Sequence, residues 1–175
     1  MVQSTELTLD DAADAAIRAQ WSTLHEAGLP SLARHASASN RPHLTLDARA
    51  EVSPESEARL REVAAALPIP VHVGDSHVFH NKRGNVLVRR VDLTPALLDL
   101  HARVHAALGP GGSALSVPGN WMPHLTLAHG LSDEQTEAAL ALVGTAEPLA
   151  ALAVRLRRWD SDTRRSWHVT GESGP

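Results

Sequence analysis

The chain has 175 residues, no cysteine, 43% hydrophobic and 21% charged residues, and a formal charge of −4 from 16 Lys and Arg against 20 Asp and Glu. The lack of thiols excludes disulfides, cysteine nucleophiles and thiolate metal sites, and the acidic balance argues against gripping long nucleic acid through many phosphates. No stretch approaches the roughly 18 consecutive apolar residues of a membrane helix, and the N-terminus carries neither a basic start nor an apolar h-region, so a cytoplasmic protein of one sizeable domain is expected.

Residues 5–9 alternate enough for a short strand. Asp10 and Asp11 open a helix to about Glu26, with Ala13, Ala16, Ile17, Trp21 and Leu24 on one face and Gly28 and Pro30 ending it. A strand is expected over 43–48. Pro54 and Glu55 begin a second helix, carried by Leu60, Val63, Ala64 and Leu67 and stopped by Pro68. Residues 69–73 and 85–93 read as strands, with a hairpin-like connection over 74–84 between them. Thr94-Pro95 is an N-cap followed by proline at the first helical position, and the helix uses Leu97, Leu98, His101, Val104, His105 and Leu108. After the flexible 109–112 joint come a strand over 124–128 and a helix to about Val143, with Ser132 and Gln135 in a capping-box arrangement. Residues 152–159 and 166–170 close the chain as strands. The expected fold is α+β: a bilobal duplicated fold of two mainly antiparallel sheets facing a central cleft, with helices on the outer faces and no independent domain boundary.

The same five residues, Pro-His-Leu-Thr-Leu, stand at 42–46 and at 123–127, which points to an internal duplication. Side chains alternate faces along a strand, so His43 and Thr45 point one way while Leu44 and Leu46 point the other. His124 and Thr126 stand likewise against Leu125 and Leu127. The leucines suit a core under helices, and the His/Thr face is left to line a cleft. Near neutral pH one imidazole can take a proton while the other gives one, and the threonine hydroxyls can donate to phosphate oxygens. That chemistry suits displacement at phosphorus, where attacker and leaving group lie on opposite sides. It requires no cofactor.

On these motifs the chain resembles the 2H phosphoesterase superfamily, in particular bacterial proteins of the 2′-5′ RNA ligase type. The opening Glu6–Asp10 strand, the Ile17, Trp21, Leu24 and Gly28 helix, the stretch around residues 70–101 and the closing strand around 154–159 fall in the expected order. The resemblance implies a metal-independent cyclic phosphodiesterase or RNA-ligase-like protein. Its partner would be a nucleotide or a short RNA ending in a cyclic phosphate. His43 and His124 would be acid and base, and Thr45 and Thr126 would hold the phosphate. Family members often carry an arginine two residues past the last leucine of the second motif, where this chain has His129.

Other residues are weighed against plainer readings. His72, His77 and His80 cluster without a strong metal-ligand spacing, and His72 alternates with Val71 and Val73 so as to face away from the core. Arg155, Arg157 and Trp159 share one face of the closing strand, where they either contact a phosphate and base or solvate a sheet. A monomer is the default. Two rivals remain: a module that binds a phosphorylated ligand without turnover, and a metal-dependent hydrolase built on the His72–His80 cluster.

Overall fold

The computed structural model describes residues 2–35, 37 and 39–169. The chain runs β1 (Gln3–Leu9), α1 (Asp11–Glu26), a 3₁₀ turn (Leu32–Arg34), β2 (His43–Arg49), α2 (Pro54–Ala64), β3 (Ile69–Phe79), β4 (Asn85–Val91), α3 (Pro95–Leu108), β5 (His124–Leu131), α4 (Asp133–Val143), β6 (Leu149–Asp160) and β7 (Arg165–His168). Each helix starts on an oxygen side chain that satisfies a free amide of its first turn. Asp10, Ser53, Thr94 and Ser132 accept from Ala13, Ser56, Leu97 and Gln135, and Gln135 completes the box by accepting from the Ser132 amide.

Several strand boundaries differ from the sequence expectation, those of β3 and β5 most. β3 continues to Phe79, so the connection to β4 is a tight turn over 80–84. A bulge between Val73 and Ser76 absorbs the irregular Gly74-Asp75 step and lets His77, Val78 and Phe79 go on pairing with β4. β5 runs on to Leu131 rather than stopping at Ala128. Of the expected last strand, Thr170 lies outside the described residues.

All strand pairings are antiparallel, and they join seven strands in one sheet of order β1-β2-β5-β4-β3-β6-β7, with β1 also paired to β6. The expectation of two separate sheets is therefore corrected to one continuous sheet. The reason lies in two seams. The 12-residue β6 pairs with β3 through Leu149–Ala153 and with β1 through Ala153–Asp160. β2 and β5 meet at a single register pair, Leu44 opposite Leu125. α1 packs on α4 and α2 on α3. Leu7, Ile17, Leu44, Leu60, Leu97 and Leu125, all essentially inaccessible, belong to one contiguous apolar cluster. Among the described residues no helix is long and apolar enough to cross a membrane.

Candidate active site

The two repeated motifs open β2 and β5, and both show the same alternation. His43, Thr45, His124 and Thr126 are half-buried, while Leu44, Leu46, Leu125 and Leu127 are fully buried in the core. Because Leu44 and Leu125 are directly opposite, the two His/Thr pairs flank one seam on the other face of the sheet. Each imidazole is tied by its own strand entry: Nδ1 of His43 donates to the Arg41 carbonyl at 2.7 Å, and Nδ1 of His124 to the Met122 carbonyl at 2.8 Å. A carbonyl only accepts, so the neutral rings carry their proton on Nδ1 and present an Nε2 lone pair.

The seam carries only one strand pair, and two tryptophans complete it. Nε1 of Trp21 donates to the Thr126 carbonyl and Nε1 of Trp121 to the Thr45 carbonyl, both at 2.9 Å. Trp121 in turn lies flat on His101, ring centroids 3.9 Å apart and 5° from parallel. His101 is buried, and its Nε2 donates to the Ser116 carbonyl at 2.9 Å. Burial and then the neighbouring His105 ring push its pKa down to about 4, so it is neutral.

Around His43, strand register sets the neighbours. Glu6 on β1 lies between Thr45 on β2 and Arg157 on β6, and Thr8 lies between His43 and Arg155. Glu6 and Arg157 are both buried and form a two-point pair: Arg157 Nε and Nη2 donate to Glu6 Oε2 at 2.9 and 2.6 Å. Arg157 Nη1 donates to the Ser39 carbonyl at 2.9 Å. Glu6 Oε1 accepts from the Ser4 hydroxyl at 2.6 Å and stands 3.6 Å from His43 Nε2. Burial works to raise the Glu6 pKa, but His43, Arg157 and the Ser4 hydroxyl outweigh it and hold the carboxyl below its ordinary value. A cavity of about 790 Å³ opens here, with His43, Thr45, Glu6, Arg157, Trp159 and Arg164 in its wall.

The surroundings of His124 are different. Phe79 packs edge-on against its ring at 5.1 Å, and His77 packs on Phe79 at 4.9 Å. Desolvation by burial lowers the His124 pKa, and the His43 and His77 rings lower it further, although the Met122 carbonyl opposes them. Arg90 on β4 is paired in register with His124, so its exposed side chain shares the imidazole's face. A second cavity of about 860 Å³ is walled by Arg90, His77, His72, Asp92, Trp121 and Met122, among others.

The other residues singled out in the sequence fall as follows. His129 is exposed on β5 close to the pair: desolvation lowers its pKa, as do His124, His35 and His43. Trp159 lines the His43 cavity. Arg157 reaches the same place, but its guanidinium is taken up by Glu6 and Ser39. Arg155 stands one strand beyond Thr8, with Nη1 3.3 Å from Nδ1 of His168. His72 lines the other cavity with Nδ1 2.8 Å from Asp92 Oδ2, and His80 bonds Asn85 instead. The three clustered histidines thus have separate partners, and among the described residues no three His, Asp or Glu side chains are grouped to hold a metal ion. Sequence reasoning missed Glu6, Arg90, Phe79 and the two indole bonds. Only the strand periodicity of 85–93 hinted at Arg90.

The chain matches the 2′-5′ RNA ligase superfamily over residues 9–165. Its fold is similar to a crystal structure of a phosphoesterase, at 21% identity and a TM-score of 0.55, with 95% of this chain and 93% of that one covered. It is equally similar to the apo form of Escherichia coli LigT, at 21% identity and a TM-score of 0.55, covering 95% of this chain and 92% of that one. Usb1 of Kluyveromyces marxianus aligns at 16% identity and a TM-score of 0.49 over 90% of this chain and 92% of its own. No curated protein matches the chain.

Proposed function

This chain belongs to the 2′-5′ RNA ligase superfamily, and on that premise we propose that it is a metal-independent 2H-type phosphoesterase acting on a cyclic phosphate or phosphodiester of a nucleotide or short RNA end. The observation that carries the proposal is the matched pair of imidazoles. Each is fixed through Nδ1 to the carbonyl two residues before it, and each leaves Nε2 toward a common face with a threonine beside it.

In this reading the two halves act as lobes of one domain, and the substrate phosphate lies in the cleft between them, bridging the two Nε2 atoms. One imidazole takes the proton of an attacking water or hydroxyl as its oxygen bonds to phosphorus. The other gives its proton to the 2′ or 3′ oxygen that leaves. Thr45 and Thr126 donate to the non-bridging oxygens and stabilise their charge. With the terminal hydroxyl of a second RNA as the attacker in place of water, the same proton transfers join two RNA ends. A net charge of −4 suits a short substrate held by a few local contacts better than long nucleic acid. The protein works as a cytoplasmic monomer in this account.

The test is turnover of 2′,3′-cyclic mononucleotides and cyclic-phosphate-ended RNA by wild type, His43→Ala and His124→Ala, with and without a chelator. The expected result is chelator-insensitive activity that each substitution reduces by 10²-fold or more, on the order of one lost acid–base catalyst. Wild-type rates in both variants overturn the proposal. Tight binding of the nucleotide with no product over long incubation replaces it with the binding-module reading.

A further inference from the structure

The cavity of about 860 Å³ on the β3–β4 side has two unlike ends. One end is Arg90, which strand register places opposite His124. The other is Asp92 with His72. Arg90 and Asp92 stand two positions apart on one face, a step of roughly 6–7 Å along a strand. Pairing continues past the last residue of β4: the Asp92 amide donates to the His72 carbonyl at 2.9 Å, and the Val91 amide to the Pro123 carbonyl at 3.0 Å. The side chains repeat that link, with Nδ1 of His72 donating to Asp92 Oδ2 at 2.8 Å. A carboxylate only accepts, so Nδ1 carries this proton whether or not the ring is charged. The Asp92 carboxylate is thus held in place although it is exposed, and its Oδ1 accepts no hydrogen bond from any described residue. Between the two ends the wall is apolar. Leu93 and Met122 are large hydrophobic side chains that stand exposed, and both line this cavity together with Trp121, Pro123 and Pro148.

From this arrangement we propose that the cavity is a guanine-reading subsite, with the base against Leu93 and Met122 and its Watson–Crick edge on the Asp92 carboxylate. The inference rests on the phosphoesterase reading and names the base that its substrate carries. Asp92 sets specificity by touching the base, and His72 is a positioning residue that fixes the carboxylate.

The choice of base follows from its donors and acceptors. A carboxylate offers acceptors only, in one plane, and is matched by two parallel N–H donors. Among the four RNA bases guanine presents them, N1–H beside the 2-amino group. Adenine and cytosine set one amino group beside an acceptor ring nitrogen, and uracil has one N–H between two carbonyls. Each of these turns a lone pair toward the carboxylate. An anionic wall also repels phosphate, and Asp75 at the β3 bulge adds to that charge. The phosphate therefore belongs at the Arg90 end and the base at the other.

The experiment measures kcat/KM of wild type, Asp92→Asn and His72→Ala on the 2′,3′-cyclic phosphates of guanosine, inosine, adenosine, cytidine and uridine. Calorimetry gives the binding of the corresponding 3′-monophosphates. Wild type should favour guanosine over adenosine, cytidine and uridine by at least about 10-fold, the size of one hydrogen bond to a charged group, with inosine between because it lacks the 2-amino donor. In Asp92→Asn the amide offers one acceptor and one donor, a pair that all four bases can match, so the guanosine advantage should vanish. His72→Ala should shrink it. Both residues are exposed, so neither change opens a hole in the core. Equal kcat/KM for all bases in wild type overturns the subsite and leaves the phosphoesterase reading standing. A guanosine preference that survives Asp92→Asn, or a loss of rate uniform across the bases, overturns the role of Asp92 and with it the proposal. Guanosine-selective binding without turnover of any cyclic phosphate sinks the phosphoesterase reading and keeps the subsite. Binding without base selectivity, or none at all, overturns the subsite whatever the turnover.

Discussion

Trp121 donates its indole N–H to the carbonyl oxygen of Thr45 at 2.9 Å, across 76 residues of chain. The bond matters because β2 and β5 pair only at Leu44 and Leu125. A longer ladder would supply amide donors to the carbonyls on either side, and here an indole does so. Trp21 serves Thr126 in the same way. Each motif threonine therefore has its backbone carbonyl held by a tryptophan from elsewhere in the chain.

Replacing Trp121 by Phe keeps most of the apolar volume and removes the donor. The Thr45 carbonyl is then left without its indole partner at a part-buried position. The expected loss of stability is about 1–3 kcal/mol, read by urea denaturation against wild type. A Trp121→Phe variant as stable as wild type would show that water replaces the indole freely.

His101, stacked on Trp121, makes folding depend on pH. Its folded pKa of about 4 lies below the ordinary 6.5, so the unfolded chain binds its proton more readily. Stability is fully present above about pH 6.5, declines as pH falls through that value, and levels off below about 4. The shift corresponds to ~3 kcal/mol at 1.36 kcal/mol per unit. Urea midpoints at pH 7 and pH 4.5 measure the decline. His101→Gln, which keeps a donor for the Ser116 carbonyl but cannot titrate, should flatten that part of the profile.

Local rules carried much of the architecture. Four helix starts follow from local signals: oxygen side chains at Asp10, Thr94 and Ser132, and Pro54 with Glu55 at the head of α2. The facing of His43 and Thr45 away from Leu44 and Leu46 follows from a strand's two-residue period. What stayed hidden depended on contacts between distant segments. Glu6 and Arg157 are 151 positions apart and meet only because β6 switches from β3 to β1 at Ala153. That same switch turns two expected sheets into one. Arg157 read equally as a substrate contact or as a residue solvating the sheet, because alternation places it on the face but says nothing of its partner. β3 looked short because Gly74 and Asp75 break the period at a bulge that the pairing tolerates.

The β3–β4 turn is closed by Gly84, whose φ of +105° suits glycine alone among common residues. A Cβ there would also meet the Gly130 backbone of β5 at 2.9 Å. Gly84→Ala combines backbone strain with a clash against backbone atoms, which cannot give way as a flexible side chain could. A loss of at least 1–3 kcal/mol is expected from the strain alone, seen as a lower thermal midpoint. An unchanged midpoint would mean that this turn differs in solution.

Arg90 bears on binding rather than proton transfer. It is paired in register with His124, exposed on the same face, and lines the cavity that His77 and Met122 also wall. Unlike Arg157 it makes no salt bridge within 4 Å to any described residue. His129 offers only a pH-dependent charge near the pair, whereas a guanidinium is always charged and can donate two parallel bonds to a phosphate. Arg90→Met keeps an unbranched apolar stem and removes that charge. It should raise KM for a cyclic nucleotide by about 10-fold, the size of one hydrogen bond to a charged group, while leaving kcat within a few-fold and both limbs of the pH profile in place. A fall in kcat at constant KM would instead put Arg90 in the transition state, and no change in either would make it a solvated surface residue.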